Sequence, residues 1–127
     1  MIETVKVSDK GRQQLINIKK RTGIQNWNVI CRWAFATSLA EDSKVLDENI
    51  IANSAVEMTW KTFTGGHEKL YIALLLTKAK KDNWETDIES INTYFKLHLH
   101  RGISYLNGKS AETLDNLIKN ILSKNIN

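Results

Sequence analysis

At 127 residues, with 42% hydrophobic and 25% charged side chains, the chain is the length of one domain (residues 1–127), and its composition excludes both wholesale disorder and a membrane protein. The longest strongly apolar run, Leu70 to Leu76, is far short of the roughly 20 residues that cross a bilayer, and the start MIETVKVSDKG lacks the apolar segment of a secretory signal. A net charge of +4 permits attraction to polyanions without requiring it, and a single cysteine leaves nothing to pair within the chain, so a reducing cytoplasm is expected.

Taken in order, Ile2, Val5 and Val7 alternate with polar residues and predict a short strand, which must pair with another strand of this chain or with its counterpart in a second copy. Ser8 is placed to cap a helix from about Asp9 to Arg21, with Asp9 in the first turn, Lys19, Lys20 and Arg21 in the last, and Gly23 as the stop. Its few apolar residues, Leu15, Ile16 and Ile18, make it a surface helix. A second helix is expected over Ile24 to Ala40, capped by Asn26. Trp27, Ile30, Cys31, Ala34 and Phe35 recur at helical spacing and Arg32 is the segment's one formal charge, so this helix needs cover over most of its circumference. Trp27 and Trp33 are candidates to face a second subunit. Arg32 is expected either to pair with an acid or to point toward phosphate.

From Glu41 to Asn53 the chain reads as a loop. Val56, Met58 and Trp60 alternate as a second strand, broken by Thr64-Gly65-Gly66, and a third helix runs from His67 to Lys81 with an apolar surface of Leu70, Ala73, Leu74 and Leu76. A fourth helix is expected to start near Thr86, where TDIE has the form of a capping box, and to end at Asn107-Gly108. A fifth is expected from Ser110 to Leu122. The fold class is therefore mainly α: a ribbon-helix-helix-like N-terminal unit of one strand and two helices, elaborated by about three further helices.

Candidate chemistry is sparse. Cys31 beside Arg32 admits a nucleophile or sulfur carrier, but a lone cysteine on an apolar helix face is more often a small core residue. His98 and His100 are one residue apart and point roughly 200° from each other on a helix, so they form no two-histidine metal face, and neither a metal nor a cofactor is expected. The glycine pair in FTGGHEKL matches no phosphate-loop spacing and reads as a turn. The basic N-terminal third stands out. Between Val5 and Arg32 lie Lys6, Lys10, Arg12, Lys19, Lys20, Arg21 and Arg32 against one acid, Asp9, and these seven are the candidate DNA-binding residues.

Four ordered stretches, VSDKGRQQLINIKKRTG, NVICRWAFATSL, TFTGGHEKLYIALL and LHLHRGISYL, resemble the DndE family, the small subunit of the bacterial DNA phosphorothioation (sulfur modification) system. The resemblance covers about Val5 to Leu106; it departs where Gln25-Asn26-Trp27 replaces a turn that carries proline in the family. It implies a non-catalytic, mainly helical homo-oligomer, a tetramer, that binds double-stranded DNA, with a liking for nicked duplex. It also implies work beside a cysteine desulfurase, an iron-sulfur protein and an ATPase. The competing reading is a ribbon-helix-helix transcriptional regulator, whose N-terminal strands pair between subunits and enter the major groove.

Overall fold

A computed structural model describes residues 2–108; the helix expected over Ser110 to Leu122 lies outside them. The elements are β1 (Thr4–Lys6), α1 (Asp9–Thr22), α2 (Trp27–Leu39), β2 (Glu57–Thr59), α3 (Trp60–Thr64), α4 (Glu68–Lys81) and α5 (Ile88–Gly108). β1 finds its partner in its own chain, pairing antiparallel with β2 in the register Thr4 to Thr59, Val5 to Met58 and Lys6 to Glu57. The alternation is obeyed: Val5 is buried, while Thr4 and Lys6 face outward.

The caps explain the helix bounds. Ser8 Oγ accepts from the Gly11 amide at 3.0 Å to start α1, and Gly23, at φ 75°, ends it by donating to the Lys19 carbonyl. α2 begins after Asn26, whose side chain makes no cap bond, and Ile24 to Asn26 stay outside the helix. The expected second strand stops one residue early. Thr59 Oγ1 accepts from the Thr62 amide at 3.1 Å and converts Trp60–Thr64 into a short helix, because an N-cap threonine offers the chain a hydroxyl partner where the ladder ends. Gly65 (φ 62°) and Gly66 (φ 90°) then reverse the chain, and the amides of Gly65, Gly66 and His67 all donate to carbonyls of Lys61 to Thr64, so the glycine pair is a turn. At the start of α5 the cap is Asp87 and not Thr86: its Oδ2 accepts from the Ser90 amide, and the helix begins at Ile88.

The core forms where α2 crosses α5. The two helices touch backbone to backbone at Gly102, where a Cβ would sit 1.7 Å from the Ala34 carbonyl oxygen. Ile30, Cys31, Ala34 and Phe35 of α2 are buried, as are Ile91, Phe95, Leu99 and Ile103 of α5. Phe35 meets Phe63, Tyr71 and Phe95 at centroid distances of 5.7, 6.1 and 5.2 Å, so one aromatic cluster joins α2, α3, α4 and α5. Trp27 and Trp33 are half-buried against this core.

Candidate nucleic-acid interface

α1 buries Gly11, Leu15 and Ile18 and presents its cations on two flanks. Arg12 and Lys19, seven residues and about two turns apart, share the flank toward α2; Lys10 and Arg21, eleven apart, share the flank toward α5. Lys20 points between them into solvent. On the α2 side Lys19 Nζ lies 4.7 Å from the centroid of the Trp27 ring, a cation–π contact that fixes the ammonium without neutralising it. On the α5 side Arg21 Nη2 donates to both the carbonyl and the side-chain oxygen of Asn107, at 2.9 Å each. Lys10 stands at the rim of a cleft of about 430 Å³ between α1, α5 and the Val45–Ile51 loop.

The N-terminus of α1 is itself held from a distance. The Ser8 amide donates to His100 Nε2 at 3.0 Å, and the other ring nitrogen, Nδ1, donates to the Lys96 carbonyl at 2.8 Å. Gly11 leaves room for this ring, since a Cβ there would meet His100 Cδ2 at 3.2 Å and Val7 Cγ1 at 2.7 Å. Burial holds the His100 pKa below its usual value, which keeps Nε2 an acceptor.

The remaining candidate cations lie elsewhere. Lys6 stands across the strand pair from Glu57 and borders a cleft that also holds Lys96 and Asn92. Arg32 is held by carbonyl oxygens: its Nη1 donates to the carbonyls of Phe63 at 3.0 Å and Thr62 at 3.4 Å, at the C-terminal end of α3, where Asn28 Nδ2 joins it on Thr62. The sequence carries no signal for that role, since α3 was not expected. Arg101, which sequence reasoning also passed over, clamps the end of α2. Its Nη2 donates to the Ser38 carbonyl at 2.7 Å, its Nε to Ser38 Oγ at 2.8 Å and its Nη1 to the Ser43 carbonyl at 2.7 Å.

Other polar groups are sealed. The Cys31 thiol is fully buried and burial pushes its pKa up to about 12 against the pull of Arg32, so it is a protonated core group. His98 faces α2 where His100 faces α1, as their spacing requires. Its Nδ1 lies 2.8 Å from Ser38 Oγ, its Nε2 is buried without a hydrogen-bond partner among the described residues, and burial pushes its pKa down to about 4. Tyr94 donates to Asp82 Oδ2 at 2.6 Å; burial, then this bond and the Asp82 charge, raise its pKa. Among the described residues no cluster of histidine, cysteine and carboxylate is placed to hold a metal, and no helix is long and apolar enough to cross a membrane.

The surface built by α1 can therefore bind phosphate oxygens as an array of point charges, with an indole beside it. A search of curated proteins returned no match. Residues 4–113 match the family described as DNA sulphur modification protein DndE, a span that takes in both strands and all five helices described above. The chain thus belongs to the DndE family of DNA sulphur modification proteins.

Proposed function

We propose that the chain serves DNA sulfur modification as a non-catalytic subunit that binds duplex DNA, with a preference for nicked duplex, through its N-terminal cations. The observation that carries this reading is α1 itself: a 14-residue helix with a buried apolar face and five cations on the rest of its circumference, in a chain of a DNA-modifying family. Lys10, Arg12, Lys19 and Lys20, with Lys6 on the neighbouring strand, contact phosphate in this reading, and Arg21 and Arg32 serve the fold first because carbonyl oxygens hold them. Contacts of this kind are indifferent to sequence and strongly dependent on salt. The chain acts as a homo-oligomer, a tetramer, and the sulfur chemistry belongs to its partners, a cysteine desulfurase, an iron-sulfur protein and an ATPase. The sealed Cys31 supports the non-catalytic assignment.

A mobility-shift titration at physiological salt with intact and nicked duplexes tests the reading. Binding of either duplex, tighter for the nicked one, is the expected result; no shift of either overturns it. In the same assay Lys19→Glu with Lys20→Glu weakens binding at all sequences alike and flattens the dependence of log K on log salt. An unchanged slope removes these two lysines from the interface. Selection of one duplex sequence from a random pool would favour the regulator reading. If Cys31→Ser abolishes DNA modification in cells while the protein stays folded and binds DNA, the non-catalytic assignment fails.

A further inference from the structure

α4 is apolar on both sides. Its inner face is accounted for by Leu75 and Ala79, which are buried, and by Tyr71, Ile72 and Leu76 against the core. Its outer face carries Leu70, Ala73, Leu74 and Thr77 at the spacing of one helical stripe, and the two leucines, one turn apart, are 55% and 45% exposed. Single exposed leucines are ordinary, but a stripe that keeps the i, i+3, i+4, i+7 pattern on the side away from the core has the form of a helix-docking face.

The charges around the stripe decide what fits it. Lys69 and Lys80, eleven residues apart and therefore nearly in line, run along one edge, and Lys81 closes the C-terminal end; all three are exposed. Glu68 lies on the opposite side of the helix. Two copies of this face laid together set lysine against lysine in either orientation, so a second copy is a poor occupant. Duplex DNA would satisfy the lysines and leave both leucines in a wet, charged interface. We propose that the outer face of α4 docks an acidic amphipathic helix of a partner protein, whose apolar stripe covers Leu70 and Leu74 and whose carboxylates meet Lys69, Lys80 and Lys81. This site is separate from the α1 surface and stands whether or not that surface binds DNA.

The probe is a fluorescent synthetic peptide of about 18 residues, helical, with leucines on one stripe and glutamates beside them, compared by anisotropy on the full chain with a twin in which lysines replace the glutamates. The glutamate peptide is expected to bind at least about tenfold more tightly than its twin, and Leu74→Ser to weaken it by about tenfold at an unchanged melting temperature. Lys80→Glu, which alters no packed group, is expected to narrow the gap between the two peptides. Equal binding of the two peptides, or binding indifferent to Leu74→Ser, overturns the proposal. So does a fall in solution mass on Leu74→Ser, which would make a second copy the occupant, or peptide binding that appears only after removal of residues 109–127, which would make the chain's own C-terminal segment the occupant.

Discussion

His98 makes the stability of this fold depend on pH in a window where carboxylates contribute little. Its ring is fully buried between Ser38 of α2 and the edge of Tyr94, whose centroid is 4.5 Å away. Ser38 Oγ, 2.8 Å from His98 Nδ1, also accepts from Arg101 Nε, so the hydroxyl that meets the ring already faces a cation. A second ring proton would meet the positive charges of Arg101 and Lys78, with the Asp82 carboxylate the sole opposing influence and burial the dominant cost. The folded pKa therefore lies near 4 against an ordinary 6.5. Because the unfolded chain binds the proton more readily, this group's contribution is complete above pH 6.5 and is lost as the pH falls toward 4. At about 1.4 kcal/mol per pH unit the whole effect is ~3 kcal/mol, roughly 2 kcal/mol of it lost by pH 5. Urea unfolding at pH 7, 6 and 5 measures it. His98→Asn keeps an acceptor for the Ser38 hydroxyl but cannot titrate, so it is less stable than the parent at pH 7 and loses about 2 kcal/mol less between pH 7 and pH 5. Parallel pH profiles for parent and variant would refute the assignment of a buried, neutral His98.

The same structure makes three further predictions. Gly102→Ala drives a methyl group into the Ala34 carbonyl at the crossing of α2 and α5, and should destabilise the fold by about 3 kcal/mol or more in a chemical denaturation series, since neither backbone can yield. Arg101→Ala removes the charged donor from the Ser38 carbonyl at the end of α2 and from the Ser43 carbonyl in the connection beyond it, and should cost about 2 kcal/mol by the same measurement, whereas Arg101→Lys, which lacks the forked donors, recovers less than half of it. Native Cys31 should resist a thiol reagent at pH 8 and react at full rate once the chain is unfolded in urea; rapid labelling of the folded protein would contradict a thiol with a pKa near 12.

What the sequence showed and what it hid divide along the range of the interactions. α1, α2 and α4 were legible because their signals are local: Ser8 and Gly23 as caps, the apolar spacing around Cys31, the basic last turn at Lys78 to Lys81. α3 was not, because Trp60 continues the strand's alternation and the bond that turns the chain, from the Thr62 amide to Thr59 Oγ1, has the same residue types as any threonine-rich strand end. Nor was the fate of Leu70 and Leu74 readable, since periodicity reports that α4 has apolar residues without reporting which side meets the core. The candidate interface was half legible. The excess of cations before Ile30 is a property of the sequence, but the division of α1 into two flanks, and the cap that His100 supplies to Ser8 from 92 residues away, exist only once α5 has been packed beside it.

The arginines show why a count of positive charge overstates the surface available to a polyanion. The chain has four. Arg21 binds the Asn107 carbonyl at the end of α5, Arg32 the Thr62 and Phe63 carbonyls at the end of α3, and Arg101 the Ser38 carbonyl at the end of α2. In each case a guanidinium adds a charged donor to carbonyls in the last turn of a helix and answers the negative pole there, at a place where another helix packs. Two lysines act in the same way on the long connection, Lys78 on the Glu41 carbonyl and Lys96 on the Ile50 carbonyl. Arg12, the remaining arginine, is exposed on α1, on the flank it shares with Lys19 and next to Lys20. A forked, rigid donor suits the fixed carbonyls of a helix end; a flexible ammonium suits phosphates whose positions vary with the duplex. Three of the four arginines thus go to helix-end carbonyls, and the remaining cations of α1 are Arg12 and lysines, the groups to which the proposed reading assigns the contacts with phosphate.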